Sequence, residues 1–366
     1  MIDAVEIRAS LDGGATLPAT WYSDPAVVRL EQERIFTRAW QYAGRLELVA
    51  EPGDYFSCFA GHIPIVVVRQ RDGSLAAFVN VCRHRGHIVV EGVGRRKTLQ
   101  CPYHAWTYEL DGSLRKAPRS EREPEFDKAA FSLLPVQVDT FGPLVFVNPD
   151  ENAKPLPDAL GALPKLVAES GLDLERLRFR TRNDWEIEAN WKITIENYLE
   201  CYHCPTAHPG FSKVIDVDPD AYVLSAEGLV ASQFGSPRAS ALADDSKAPY
   251  DPRGEVEVAQ YHLLWPNVTF NIEAGPGNMS VDVTRPAGPE RSVGFTEYFF
   301  YEEVSDEAAA EMMAFANQVG NEDAALVEAV QRGLASGMVP QGRLLLSSEH
   351  LIQHFQRLVA DALIEA

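Results

Sequence analysis

Apolar and polar positions change their period along the chain, and each change marks an element. From Asp24-Pro25 the apolar residues Val28, Leu30, Ile35, Phe36 and Trp40 recur with roughly helical spacing. Asp24 followed by proline is a helix start, so the pattern predicts a helix that ends near Tyr42-Ala-Gly44. From about Asp54 the chain turns to short β-like runs at 55–59, 64–69, 75–81, 98–101, 106–109 and 144–148. Asp72-Gly73 and Asp111-Gly112 fall between such runs and read as tight hairpin turns. The expectation is a small, mostly antiparallel β domain.

The stretch 152–157 is polar and carries proline, which places a boundary near 150. A helix of about a dozen residues follows, up to Gly171. After 185–188 comes a helical stretch, then strand candidates at 222–225, 229–234, 258–264, 268–273, 279–285 and 293–301. Several alternate apolar and polar residues, as a sheet with one wet face does. Residues 236–253 are rich in Ala, Asp, Ser and Pro and read as a loop or lid. Ser305 caps a long helix through roughly Gly333, and a last helix starts near Ser348 and runs to the end. The class is α+β: residues 1–43 form a helical segment that packs on the second domain, 44–150 a small antiparallel β domain, and 151–366 one antiparallel sheet in a helix-grip-like arrangement.

Composition narrows the classes of function. The chain of 366 residues is 46% hydrophobic, enough for a large core. Its longest apolar runs, such as 63–68, are strand-length, and its start lacks the layout of a signal peptide, so a cytoplasmic location with no membrane partner is expected. A net charge of −20 disfavours nucleic acid. Five cysteines, at 58, 82, 101, 201 and 204, point to thiols or metal ligands rather than a disulfide framework.

Candidate chemistry is concentrated in two stretches. Cys82-Arg-His84 and Cys101-Pro-Tyr-His104 sit in turns between strands, where two loops can close two thiolates and two imidazoles on one cofactor. Tetrahedral zinc accepts such a set. The spacing and β context match a Rieske [2Fe–2S] centre, with two cysteines on one iron and two histidines on the other. Gly86 and Gly94 either permit tight backbone geometry near that centre or serve ordinary turns. His87 reads as a loop histidine and Cys58 as a small core residue.

The second stretch, 190–208, holds Glu196, Glu200, His203 and His208. On a helix the first three share one face, and Pro205 breaks the ladder so that His208 swings to the same side. Cys201 and Cys204 bracket His203 in a Cys-x-x-Cys, a redox pair or zinc half-site by spacing, yet no second cysteine pair is left to complete a zinc site. His350 and His354 are four apart but lie in a packing stripe with Leu351, Ile352 and Phe355, and His62 and His262 are read as structural.

Cys-x-His and Cys-x-x-His followed by Asn190-Trp-Lys, then Glu196-Asn-Tyr-x-Glu-x-x-His203 and His208, resembles the catalytic α subunit of the Rieske non-haem iron oxygenases. The resemblance covers most of the chain. It implies that 44–150 is the Rieske domain, held to its cluster by Cys82, His84, Cys101 and His104, and that 151–366 is the catalytic domain. It also implies a mononuclear Fe(II) on His203, His208 and an aspartate from a late helix, here Asp323, with Glu322 and Glu328 as nearby alternatives. Glu200 matches a carboxylate that bridges a cluster histidine of one subunit to an iron histidine of the next in a head-to-tail homotrimer. Asn197 matches a position near the iron, and Glu196 orients the helix by hydrogen bonds.

The activity implied is that of a terminal oxygenase component acting on O2 and a small organic substrate, with electrons that originate in NAD(P)H. The chain has no Gly-rich dinucleotide fingerprint, so the electron donor is a separate reductase or ferredoxin. Trp265, Phe270, Glu273, Tyr298 and Phe300 form a candidate cage for a quaternary ammonium, although any sheet core contains such residues. Glu200 and the run Leu264-Trp-Pro-Asn267 resemble the choline, carnitine and glycine-betaine monooxygenase group, which implies hydroxylation or N-demethylation of a betaine-like amine. The alternatives are mono- or dihydroxylation of an aromatic acid, a Rieske electron carrier without oxygenase activity, and a zinc-binding interaction protein.

Overall fold

A computed structural model describes residues 4–243 and 248–364. The expected loop at 236–253 and the end of the last helix therefore lie partly outside the described residues. The chain divides into two compact units, 36–156 and the combination of 1–35 with 157–366.

The chain begins with α1 (Ala4–Asp12) and α2 (Pro25–Glu31). Asp24 accepts from Ala26 N at 2.8 Å and Pro25 fills the first turn, as expected. The helix is shorter than its apolar stripe. It passes into a wider turn at Gln32–Phe36, and the chain then becomes strand β1 (Gln41–Arg45). One apolar run thus serves two elements, because Trp40 is held by its ring N–H on Lys154 O at 2.9 Å within the 36–156 unit.

That unit continues with β2 (Asp54–Ala60), β3 (Ile63–Arg69), β4 (Leu75–Val79), β5 (Val93–Arg95), β6 (Leu99–Gln100), β7 (Thr107–Tyr108), β8 (Leu114–Lys116), β9 (Pro135–Phe141) and β10 (Leu144–Asn148). All pairings are antiparallel, in a seven-stranded sheet of order β1-β10-β9-β4-β3-β2-β5 and a three-stranded sheet β6-β7-β8. The hairpin turns form where Gly73 and Gly112 take positive φ, and Asp72 and Asp111 each accept the amide two residues on.

The other unit adds α3 (Leu156–Leu160), α4 (Leu163–Glu169), β11 (Leu177–Ile187), α5 (Trp191–Tyr198), α6 (Cys204–Ala207), α7 (Phe211–Val214), β12 (Val223–Glu227), β13 (Val230–Gly235), α8 (Ala239–Ala243), β14 (Ala259–Leu264), β15 (Val268–Ile272), β16 (Asn278–Gly288), β17 (Arg291–Tyr301), α9 (Asp306–Ala335) and α10 (Leu346–Ile364). Its sheet is antiparallel throughout, in the order β11-β17-β16-β15-β14-β13-β12. The α+β class and the helix-covered antiparallel sheet agree with expectation. Strand β11 was not anticipated, although Leu177, Phe179, Thr181, Asn183, Trp185 and Ile187 alternate with more exposed residues along it.

The run Asn190-Trp-Lys explains how α5 is anchored. Asn190 caps the helix by accepting from Lys192 N at 3.0 Å. Trp191 donates from its ring to Glu31 Oε2 at 2.9 Å, and Lys192 forms an ion pair with Glu31 Oε1, both partners fully buried. A lone buried charge is costly, so the two ions hold each other and with them the start of the helix. The N-terminal segment is tied to α10 as well: Gln353 donates to Leu11 O at 2.6 Å, and Leu17 N donates to Gln356 Oε1 at 3.1 Å.

Candidate metal centres and substrate cavity

In the 36–156 unit, two loops carry Cys82/His84 and Cys101/His104, and their backbones repeat one design. Cys82 N donates to His87 O, and Cys101 N donates to Trp106 O, each at 2.8 Å. Gly86 N returns to Cys82 O and Ala105 N to Cys101 O, and both fourth residues take positive φ, 72° at Gly86 and 58° at Ala105. Left-handed backbone is easy for glycine and unfavourable for alanine, so these turns are specified rather than incidental. Gly94 has another use: a Cβ there would meet the Tyr55 hydroxyl at 2.9 Å.

The four side chains divide by depth. Cys82 and Cys101 are buried, 3% and 1% exposed, while His84 and His104 are nearer the surface with ring centroids 4.6 Å apart. Trp106 stacks on His84 at 5.0 Å, and the Tyr108 hydroxyl lies 3.3 Å from Cys82 Sγ and accepts from Arg83 N at 3.0 Å. Burial pushes the Cys101 thiol up, a cost that iron at the sulfur would reverse. Two buried thiols behind two imidazoles fit a Rieske cluster. His87 stays out of this set, with Nδ1 2.6 Å from Ile88 O.

In the other unit, α5 ends at Tyr198, so Glu196, Glu200 and His203 do not share a helical face. Pro205 opens the short helix α6 instead of breaking a longer one, with His203 before it and His208 after it. The loop, rather than a continuous helix, aims the imidazoles. His203, His208 and Asp323 come together as a group able to hold a metal ion. His203 Nε2 is 3.1 Å from His208 Nε2, and Asp323 Oδ1 lies 3.4 and 2.9 Å from these two nitrogens. Metal–ligand bonds of about 2.1 Å at right angles place donors about 3 Å apart, so the trio fits one face of an octahedral ion.

Each of the three side chains is held from behind. Glu200 Oε1 takes His203 Nδ1 and its other oxygen accepts from the amides of Tyr202 and His203. Glu322 Oε2 is 2.8 Å from His208 Nδ1, and Asn197 Nδ2 donates to Asp323 Oδ1 at 2.7 Å. Glu322, anticipated as an alternative ligand, meets His208 on its Nδ1 side, while Glu328 accepts from Glu188 N at 3.3 Å. Burial opposes charge on both His203 and Asp323, but their partners outweigh it: Asp323 and Glu200 raise His203 to about 9, and the two histidines with Asn197 hold Asp323 at about 2. The acids exceed the bases here, and a divalent cation would balance them. Glu196 lies elsewhere, half-buried and accepting from Tyr22 at 2.7 Å and Gln356 at 3.0 Å.

The five cysteines do not all stay free. Cys201 and Cys204 form a disulfide around His203, which corrects the reading of every cysteine as a thiol or metal ligand; their spacing brings the Cα atoms to 4.9 Å. His350 and His354 make no metal group among the described residues, and His354 Nε2 is 3.1 Å from Gly228 O. His262 is buried between Ser232 and Gln260, and burial lowers it to about 4.

A cavity of about 470 Å³ is lined by His203, His208 and Asp323. Its wall is the polar face of the sheet: Thr269 pairs with Asp282, Asp282 with Thr296, and Ser280 with Tyr298. The wet face inferred from alternation therefore lines the cavity. Of the expected cage, Glu273, Tyr298 and Phe300 line the cavity, whereas Trp265 packs on Phe355 and Phe270 is buried in the sheet. Tyr222, Tyr261, Phe211 and Phe315 complete the aromatic wall. Glu273 Oε2 accepts from the hydroxyls of Tyr261 at 2.8 Å and Tyr250 at 3.4 Å. Asp282 accepts from Asn271 at 2.5 Å, Thr269 at 3.3 Å, and Thr296. Burial raises Glu273 to about 7 and Asp282 to about 6, with their hydrogen bonds opposing the rise.

Comparison with known proteins agrees. The Rieske [2Fe-2S] domain family matches residues 39–139 and the ring hydroxylating alpha subunit catalytic domain matches 174–365. The chain is 36% identical over 364 residues to the carnitine monooxygenase oxygenase subunit of Acinetobacter pittii, covering 96% of each. It is 32% identical over 348 residues to the chloroplastic choline monooxygenase of Spinacia oleracea, covering 93% of this chain and 76% of that one. A solved quaternary ammonium Rieske monooxygenase, CntA, superposes with a TM-score of 0.84 at 32% identity over 97% of both chains, and inter-subunit electron transfer is described for it. The chain belongs to the Rieske non-haem iron oxygenases, ring-hydroxylating α-subunit family, whose members carry a [2Fe–2S] Rieske cluster and a mononuclear iron supplied with electrons by a partner.

Proposed function

We propose that this enzyme is the terminal oxygenase of a multi-component system and that it hydroxylates a betaine-like quaternary amine at an N-methyl group or a neighbouring carbon. One observation carries the substrate class. The cavity wall carries the carboxylates Glu273 and Asp282 with no Lys or Arg among the described lining residues, while the other acids of the lining are engaged: Glu200 and Asp323 at the histidines, Asp184 and Glu186 with Arg182 and Arg291. An organic cation enters such a cavity with its counter-charge waiting and aromatic faces to cover its methyl groups. An aromatic acid would bring a carboxylate to a wall that already holds Glu273 and Asp282. The match to carnitine and choline monooxygenases supports the same reading.

In this reading Cys82, Cys101, His84 and His104 hold the cluster, and His203, His208 and Asp323 hold the iron. When bound, the two centres supply electron delivery and dioxygen activation. Glu200 and Glu322 occupy the Nδ1 atoms, which leaves both Nε2 atoms for the metal. Glu273 and Asp282 fix the cation, and the aromatic wall keeps bulk water from the reacting carbon. One oxygen atom enters the substrate and the other leaves as water, using two electrons and two protons. An N-hydroxymethyl product then loses its hydroxyl proton to solvent and its C–N bond breaks, releasing formaldehyde and the demethylated tertiary amine.

The electrons originate in NAD(P)H and arrive through a separate reductase or ferredoxin, which places the enzyme with the cytoplasmic pool of that reductant. Glu200 relays them from the cluster of a neighbouring copy in a head-to-tail homotrimer; the transfer between subunits described for CntA supports this arrangement. No helix among the described residues is long and apolar enough to cross a membrane. The test is oxygen uptake with a supplied reductase and a panel of quaternary amines and aromatic acids. Coupled uptake is expected with an amine, and uptake with aromatic acids alone would reject the substrate class.

A further inference from the structure

The bond between Cys201 and Cys204 is used by neither the metal site nor the substrate wall. It joins residues three apart, on either side of His203. A cross-link over so short a segment removes little freedom from the unfolded chain, because disulfide stabilisation grows with the length of the loop that is closed. Its effect is therefore local, and the segment that it closes carries one of the two imidazoles of the metal group.

That segment lies between elements. Helix α5 ends at Tyr198 and α6 starts at Cys204, so residues 199–203 have no helix of their own to fix them. Backbone bonds converge on the second cysteine: Cys204 N donates to Cys201 O at 3.2 Å, and Cys204 O accepts from His208 N at 2.9 Å and from Ser212 Oγ at 3.2 Å. The covalent bond thus ties the loop that aims His203 to the turn that carries His208. With the bond in place, the two Nε2 atoms and Asp323 Oδ1 stand at metal-binding separations, so the oxidised form is competent to hold a metal.

The other cysteines set the redox context. Cys58, Cys82 and Cys101 are free, and a cluster on Cys82 and Cys101 needs both as thiolates. A chain whose cofactor ligands must stay reduced until the cluster is loaded needs a reducing setting, and there a disulfide is transient or redox-sensing rather than a permanent staple. An oxidant can reach the pair from the cavity, which both cysteines line and in which each keeps some exposure, 8% at Cys201 and 5% at Cys204. Dioxygen that takes two electrons and two protons without oxidising a substrate becomes hydrogen peroxide, so the activity proposed above supplies the oxidant in this same cavity.

We propose that Cys201 and Cys204 are a redox-responsive pair, oxidised by hydrogen peroxide in the cavity, and that their cross-link holds the His203 loop in its metal-binding conformation. One thiol sulfur attacks the peroxide, the O–O bond breaks, and the sulfur is left carrying a hydroxyl while one water departs. The second thiol sulfur displaces that hydroxyl, which leaves with the thiol proton as a second water, and the S–S bond forms. Two thiols lose two electrons and two protons, and one peroxide becomes two waters. A thiol reductant reverses the step by exchange. The cross-link keeps iron in place while oxidant is present, and its reduction frees the loop afterwards. The proposal rests on the reading of His203, His208 and Asp323 as the iron site and requires no particular substrate.

The test starts from iron- and cluster-loaded enzyme reduced with dithiothreitol and desalted. One portion is treated with hydrogen peroxide, a matched portion is left reduced, and both are returned to ferrous iron with ascorbate. Alkylation, digestion and mass spectrometry of the peptide that carries residues 201 and 204 read this pair separately from Cys82 and Cys101. Both labels are expected to be lost after peroxide and to return with dithiothreitol. Extraction of the mononuclear iron by a chelator, followed beside the visible cluster spectrum, is expected to run about fivefold more slowly in the oxidised form. Cys201→Ser and Cys204→Ser are each expected to abolish that difference. Labels that persist through peroxide overturn the proposal, as does a difference in extraction that survives in the variants. If neither variant folds, the two redox forms of the unaltered chain decide alone. Absence of mononuclear iron from both forms overturns the functional reading and this proposal together, whereas iron extracted at equal rates from the two forms overturns only the proposal.

Discussion

Asn197 and Asp323, on α5 and α9, meet through a hydrogen bond of 2.7 Å that ends on Oδ1, the same oxygen that approaches His203 and His208. The amide takes up part of the carboxylate's charge and fixes which oxygen faces the metal. Asn197→Ala is expected to lower iron affinity by about tenfold, since loss of such a supporting bond typically costs ten- to a hundredfold. Iron content after dialysis against a chelator, compared with an unchanged visible cluster spectrum, measures this.

Glu200 grips His203 through both ring and backbone, so its charge and its geometry are separable. Glu200→Gln keeps a carbonyl oxygen for the backbone amides and loses the charge. Its NH2 then faces His203 Nδ1, so iron binding should weaken somewhat, but much less than turnover, which falls by about a hundredfold. Rapid-mixing measurement of cluster oxidation, beside an iron assay, distinguishes slow electron delivery from an empty site, and a fully active monomer would contradict the relay between copies.

Glu31 is the buried partner of both Trp191 and Lys192. Glu31→Ala leaves the Lys192 ammonium uncompensated at the start of α5, and the expected loss is about 3–5 kcal/mol. Urea denaturation followed by far-ultraviolet dichroism should show the transition moved to lower urea. Glu31 and Lys192 exchanged together should recover part of the loss.

Binding of a quaternary amine should depend on pH through Glu273. The free carboxyl, raised by burial to about 7, is protonated below that pH, and a cation favours the ionised form. Affinity therefore rises with pH up to about 7 and flattens above it, with Asp282, raised to about 6, adding a steeper acid limb. The stability sign is opposite. A folded pKa above the unfolded value favours folding most below about pH 4.5, and that contribution is lost as pH rises through about 7. Glu273→Gln should flatten both trends above pH 6, read by titration calorimetry and thermal melting in matched buffers.

Local patterns were legible in the sequence, and distant partnerships were not. The spacing of Cys82, His84, Cys101 and His104 already placed two similar loops face to face, because strand pairing brings neighbours in sequence together. His203 and His208 were legible for the same reason. Glu322 joins His208 across 114 residues and Glu31 joins Lys192 across 161, and nothing in either local stretch announces the other partner. The apolar stripe from Val28 to Trp40 misled because burial, not helix, is what it reports: Val28 and Leu30 lie on α2, Ile35 and Phe36 in the wider turn, and Trp40 just before β1. The polar alternation of β15 to β17 was legible as a sheet with one wet face, but polarity alone does not say that this face lines a cavity.

The division of the chain bears on the order of assembly during synthesis. Residues 36–156 form one continuous unit, available to fold while the rest is still being translated. The other unit uses residues from both ends of the chain, and Leu11 and Leu17 find their partners only when Gln353 and Gln356 emerge. Cluster assembly can therefore precede closure of the unit that receives the mononuclear iron. Chains stopped before residue 346 should hold a protease-resistant 36–156 core while Leu11 and Leu17 lack their α10 partners, and equal resistance of both units in such chains would refute this order.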